Sequence, residues 1–194
     1  MNKGHKHPPA SRYPLFDLRR SLLVPLVVAC LFIVVLIWCW WWPVRTTTIY
    51  LARHAEKASG PPGNPSDPPL SPAGEARAGD LAHVLGDEGI EAIFVTNFQR
   101  TQQTAAPLAA AAGITPIIYD AGSPEQAVDA ILADHQGQRI LVIGHSNTLD
   151  DLAAGLGAAG VPELGEQSFD RLFVIHRFGA TPHLDRLRYG EETP

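Results

Sequence analysis

Arg53 and His54 stand side by side at the end of a β-branched apolar run, TTTIYLARHAEK, with Glu56 and Lys57 close behind. A second arginine, Arg100, lies in the threonine-rich stretch FQRTQQTA, and a second isolated histidine, His145, follows the apolar run RILVIG. A guanidinium presents a planar fork that binds phosphate oxygens two at a time. Two such groups can clamp a phosphate monoester, which carries about −1.5 to −2 charge at neutral pH. With that charge neutralised, an imidazole nitrogen can attack phosphorus, and histidine keeps a neutral nitrogen available near pH 7. The attack gives a phosphohistidine, which water splits in a second step. A second imidazole, protonated, binds the equatorial oxygens as charge develops. Glu56 is expected to help fix the geometry.

These residues meet only if the chain folds so that the ends of several strands come together. Apolar β-rich runs alternate with helical ones: TTTIYLA, SPAGEARAGDLAHVLGDEG, AIFVTN, QRTQQTAAPLAAAAG, TPIIYD, PEQAVDAILADH, RILVIG and NTLDDLAAGLG. Short continuous apolar strands between helices predict βαβ units, hence an α/β fold with a mainly parallel sheet covered by helices on both faces. Ser71-Pro72 is a helix start, an N-cap followed by proline at the first helical position. Gly113 and Gly157 fall near helix ends. DRLFVIHRF and HLDRLRYG, split by GATP, read as a closing hairpin, and residues 58–69, ASGPPGNPSDPP, as a Pro/Gly loop that forms a wall of the site. In such sheets ligands bind at the carboxyl ends of the strands. Collected there are Arg53, His54 and Glu56; Asn97, Arg100 and Thr101; Asp120; and Gly144, His145, Ser146 and Asn147.

The segments RHAE, FQRTQQTA and VIGHSNT, in this order and each after a strand, resemble the signature of the histidine phosphatase superfamily, the phosphoglycerate-mutase-like fold. SPAGEARAGDLA and DRLFVI also resemble family segments, so the likeness covers nearly all of 46–190. The resemblance implies that His54 is the nucleophile, that Arg53, Arg100 and His145 complete the phosphate-binding pocket, and that neither a metal nor another cofactor is required. It also implies an acid that protonates the leaving oxygen, soon after the third strand. Asp120 and Glu125 compete for that role, Asp120 slightly preferred, and for each a helix-start or turn carboxylate is the competing reading. Asp150 and Asp151 read as a helix-surface pair.

Residues 22–42 carry no charge over 21 positions. As a helix they would span about 31 Å, which predicts a transmembrane helix, with Trp40, Trp41 and Trp42 as an interfacial belt. The residues before it carry a net +4, so the positive-inside rule predicts a cytoplasmic basic tail, 1–21, and a domain, 46–194, outside the cytoplasm on a single-pass inner-membrane anchor. That domain carries 19 acidic against 9 basic side chains, a poor match for nucleic acid, whose binding depends on phosphate neutralisation. Both cysteines, Cys30 and Cys39, lie in the apolar run, so residues 46–194 hold no disulfide, thiol nucleophile or cysteine-based zinc site. His83, His135, His176 and His183 read as surface or packing residues.

The expected function is a membrane-anchored phosphatase acting on a small phosphorylated substrate, membrane-proximal because only three residues separate Trp42 from the first strand. Compactness resembles the small phosphohistidine and sugar-phosphate phosphatases rather than the longer mutases. The alternatives are a phosphohistidine protein phosphatase, a metal-dependent hydrolase using His54, Glu56, His145 and an aspartate, and a non-catalytic phosphate-binding module, which the absence of a clear acid motif keeps open.

Overall fold

The computed structural model describes residues 18–41, 46–59, 66–178 and 181–193, with side chains of the first helix described from 24 to 37. The chain divides into two units, Met1–Pro43 and Val44–Pro194.

In the first unit, helix α1 runs Leu18–Trp41. Its described side chains, 24–37, are exposed and apolar. Among the described residues no helix is long and apolar enough to cross a membrane. The expected transmembrane span at 22–42 is corrected on this ground, and the inner-membrane, periplasmic placement falls with it. The basic tail as far as residue 17 and the side chains of Trp40, Trp41 and Trp42 lie outside the described residues, as do loop residues 60–65.

The second unit is a mixed α/β domain. Its strands are β1 (Thr47–Arg53), β2 (Ala92–Thr96), β3 (Ile117–Tyr119), β4 (Arg139–Gly144), β5 (Arg171–Arg177) and β6 (His183–Arg188), and its helices α2 (Pro72–Leu85), α3 (Gln99–Ala112), α4 (Glu125–Asp134) and α5 (Leu149–Gly155). They form one six-stranded sheet in the order β3-β2-β4-β1-β5-β6. The first four strands in that order run parallel, and β5 and β6 close the edge as an antiparallel hairpin.

The apolar runs read as strands because both sheet faces are covered. Ile49 and Leu51 of β1 pack with Phe94, Ile140, Val142 and Phe173 under α4 and α5. The alternate residues Tyr50 and Ala52 pack with Ile93, Val95, Leu141 and Ile143 under α2 and α3. A strand that buries both faces has no polar positions to alternate. Ser71 caps α2 as expected, its hydroxyl accepting the Gly74 N–H at 3.2 Å, with Pro72 in the first turn. Gly74 is fixed by contact: a Cβ there would run into the carbonyl of Glu56, just beyond the end of β1. Gly113 ends α3 at φ +68°, a left-handed conformation that glycine adopts without cost.

Candidate active site

Strand register sets the two histidines side by side. In the parallel pairing of β1 with β4, Arg53 lies opposite Gly144, and the His54 amide donates to the Gly144 carbonyl at 3.0 Å. The next residues on each strand, His54 and His145, therefore emerge together, with ring centroids 5.3 Å apart and edge-to-face. Both are buried, at 4% and 7% exposure.

The protonation of His54 follows from its partner. Its Nδ1 lies 2.8 Å from the carbonyl oxygen of Ala55. A carbonyl can only accept, so Nδ1 carries the hydrogen and, in the neutral ring, Nε2 keeps its lone pair. Burial pushes the imidazole pKa down to about 3. The Ala55 carbonyl works against that, and His145, Arg53 and Arg100 add to it. Ala55 is itself held, because its N–H donates to the Thr104 hydroxyl at 2.9 Å.

Arg53 is 3% exposed. Its Nη1 donates to the carbonyls of Gly165 and Glu166 at 2.9 and 3.0 Å. Its guanidinium lies 4.3 Å over the Phe169 ring, which also stands 6.1 Å from His54. Nε is buried without an acceptor among the described residues. The Glu166 carboxylate, 88% exposed, approaches Nη2 at 3.8 Å. The second arginine, Arg100, stacks 4.1 Å over Phe98, faces Asp67 at 3.9 Å and donates to the Ser66 carbonyl at 3.5 Å. Thus the described end of the 58–69 loop does border the site. The position of Arg100 is fixed by Thr104, whose hydroxyl donates to the Arg100 carbonyl at 2.6 Å.

His145 has Phe98 against its ring, 5.4 Å away and edge-to-face, and Nε2 is 3.2 Å from Thr96 Oγ1. Burial, then Arg100 and Arg53, lower its pKa to about 4. At neutral pH the pocket therefore presents two neutral imidazoles beside two guanidinium groups, a strongly anion-attracting arrangement with a free nitrogen pair at its centre.

The structure brings Arg53, His54, Arg100 and His145 together, and the described bonds of the two candidate acids lie elsewhere. Asp120 is exposed, and its Oδ1 accepts the Gly122 N–H at 3.0 Å, an Asx turn leading into α4. It follows the edge strand β3, three strand spacings from β1, about 14 Å. Glu125, also exposed, begins α4 and borders a cleft with Val128, Asp151 and Gly155, on the α4–α5 side. Neither makes a described hydrogen bond or ion pair with a pocket residue. Glu56 pairs with Arg77 instead of a metal or a histidine: Arg77 Nε donates to its two carboxylate oxygens at 2.9 and 3.0 Å and Nη2 lies at 2.8 Å. The metal-hydrolase arrangement of His54, Glu56, His145 and an aspartate is accordingly not assembled.

Sequence reasoning missed Thr96, Thr104, Arg77, Phe169 and the carbonyls of Gly165 and Glu166. Threonine at 101 and 104 was visible in FQRTQQTA without a role. The carbonyls carry no side-chain signal, and Phe169 read only as the boundary of the closing hairpin.

A buried pair of histidines and a pair of arginines thus stand at the carboxyl ends of a mainly parallel sheet in an α/β domain, an arrangement chemically suited to an anionic group. Residues 49–126 match the family model of the histidine phosphatase superfamily (branch 1). No curated protein matches the sequence significantly. Among solved structures, the chain is similar to a candidate phosphohistidine phosphatase, SixA from Agrobacterium tumefaciens, with 26% identity, a TM-score of 0.54, and 73% of this chain and 97% of that one covered. The protein histidine phosphatase SixA complexed with tungstate shares the fold, with 17% identity, a TM-score of 0.56, and 73% and 96% covered. A mycobacterial glucosyl-3-phosphoglycerate phosphatase does so too, with 16% identity, a TM-score of 0.57, and 74% and 99% covered.

Proposed function

We propose that residues 46–194 form a phosphatase domain working through a phosphohistidine on His54, and that it acts on a substrate whose leaving group needs little protonation, a phosphohistidine or similar phosphoramidate. The observation that carries this reading is the His54–Ala55 hydrogen bond, which fixes Nδ1 as the donor and leaves Nε2 free in the pocket. Arg53, Arg100 and His145 are the proposed phosphate-binding groups. Nε2 attacks phosphorus, the new P–N bond forms, and the bond to the leaving group breaks. Water then attacks the phosphorus of the phosphohistidine, the P–N bond breaks, and inorganic phosphate leaves with His54 restored. The water proton passes to the pocket or to solvent.

The choice of substrate rests on the carboxylates. Asp120 accepts the Gly122 N–H in a turn, Glu125 borders the α4–α5 cleft, Glu56 is held by Arg77, and the two carboxylates beside the arginines, Asp67 and Glu166, are rim groups on loops. An alkyl or sugar phosphate loses an alkoxide, which needs a positioned acid; an imidazole nitrogen departs readily without one. The likeness to the Agrobacterium protein points the same way. The test is to assay the full chain on a phosphohistidine peptide, an aryl phosphate and a sugar phosphate. Turnover in that descending order supports the reading. Preference for the sugar phosphate overturns the substrate choice, and no turnover of any of the three favours a phosphate-binding module.

A further inference from the structure

The hydroxyls of Thr96 and Thr101 form a chain that ends on His145. Thr101 Oγ1 lies 2.9 Å from the Phe98 carbonyl oxygen, 3.1 Å from the Thr96 carbonyl oxygen and 2.9 Å from Thr96 Oγ1. Thr96 Oγ1 lies 3.2 Å from His145 Nε2 and takes a long contact, 3.4 Å, from the Phe98 N–H. Thr96 and Thr101 are both fully buried, so water does not share in these bonds.

Each hydroxyl has one hydrogen. If Thr101 gave its hydrogen to a carbonyl while Thr96 gave its own to Nε2, the 2.9 Å contact between the two hydroxyl oxygens would hold no hydrogen. If Thr101 gave its hydrogen to Thr96 and Thr96 gave its own to Nε2, Thr101 would face two carbonyl oxygens at 2.9 and 3.1 Å with no hydrogen between them. In a buried site such oxygen–oxygen contacts are repulsive and leave the carbonyls unsatisfied. In the remaining pattern Thr101 donates to those carbonyls, Thr96 donates to Thr101, and His145 donates through Nε2–H to Thr96. Every short contact then contains a hydrogen.

We propose that Thr96 and Thr101 are positioning residues that hold His145 as the Nε2–H tautomer, so that Nδ1 is the atom that gains the proton with which this imidazole binds phosphate. The hydroxyl chain needs no rearrangement when that happens, since Nε2 donates in the neutral and the charged ring alike. The charged and titratable groups facing His145 are Arg100, Arg53 and His54. They keep Nδ1 unprotonated until an anion arrives. The role of Nδ1 in phosphate binding rests on the phosphatase reading; the tautomer does not.

The test is long-range proton–nitrogen NMR of the histidine rings in the full chain at pH 7, with kcat measured beside it. Wild type should show His145 as Nε2–H. Thr101→Val removes the acceptor of the Thr96 hydrogen, which turns to Nε2 and shifts His145 towards Nδ1–H. Thr96→Val should abolish the preference and lower kcat by about 10- to 100-fold, by analogy with loss of the partner that orients a metal-bound imidazole, while Thr96→Ser restores both. A wild-type Nδ1–H ring, or valine variants with an unchanged tautomer, overturns the proposal, and the wild-type spectrum alone decides where a variant fails to fold. The expected tautomers in a chain that turns over no phosphate compound uphold the positioning and refute the phosphatase reading alone.

Discussion

The backbone amide of Ala55 and the hydroxyl of Thr104 are joined by a 2.9 Å hydrogen bond, and the same hydroxyl donates to the Arg100 carbonyl at 2.6 Å. One buried threonine thus holds Ala55, whose carbonyl orients His54, and the helical turn that carries Arg100. Thr104→Val keeps the shape and removes both bonds. It leaves the Ala55 N–H buried without a partner, a cost of about 1–3 kcal/mol. The expected outcome is a lower melting temperature together with a kcat loss that Thr104→Ser largely repairs. Thermal unfolding and steady-state kinetics of the two variants check it.

Arg100 stacks on Phe98, and its charge acts on both His54 and His145. Arg100→Ala is expected to lower kcat by about 10²–10³-fold, the usual loss for one preorganised electrostatic donor. Arg100→Lys should recover part of it, because the ammonium keeps the charge and loses the planar fork. Full activity in the lysine variant would place Arg100 outside the phosphate site.

The carboxylate of Asp120 serves a turn, and asparagine serves that turn equally well. Asp120→Asn and Glu125→Gln are therefore expected to leave kcat/KM within about twofold of wild type on aryl and sugar phosphates alike. General acid catalysis contributes about 10²–10⁴-fold. A selective loss of that size on the sugar phosphate would show that one of them reaches the leaving group.

Both pocket histidines titrate below their ordinary value of 6.5, near 3 for His54 and near 4 for His145, chiefly through burial. The folded chain resists protonation that the unfolded chain accepts. The stability contributed by the neutral rings is fully present above pH 6.5 and is lost as pH falls from there through about 4 and 3. The melting temperature should drop across that window, and less steeply in His54→Asn. A saturating oxyanion, which favours the charged His145, should flatten the upper part of the decline. Calorimetry at stepped pH, with and without inorganic phosphate, measures this.

Much of the fold was legible because its strands bury both faces. The runs TTIYLA, AIFVT and RILVIG show no polar alternation, and the Ser71-Pro72 start of α2 and the Gly113 end of α3 mark their helices chemically. The histidine pair was legible for a related reason: parallel strands deliver their next residues to one edge. What could not be read is what holds the pair. Arg53 is anchored by carbonyls of 165 and 166, which any sequence could supply. Asp120 sits at the end of a strand like the others, but β3 lies at the sheet edge, and strand order is not written in a local motif. In α1, apolar composition alone suggested a span that the described helix does not provide.

Arg77 also donates to the carbonyls of Tyr189 and Glu191, at 3.2 and 3.0 Å, while it holds Glu56. β1 lies between β4 and β5, whose residues follow some 90 to 130 positions later. A growing polypeptide leaving the ribosome therefore carries Arg53 and His54 on a strand with both edges unpaired until β4 and β5 have been made. The clasp at Arg77 closes only when Tyr189 and Glu191 emerge. Unfinished chains cannot acquire the pocket, and the exposed β1 edge makes such fragments natural clients for chaperones and proteases.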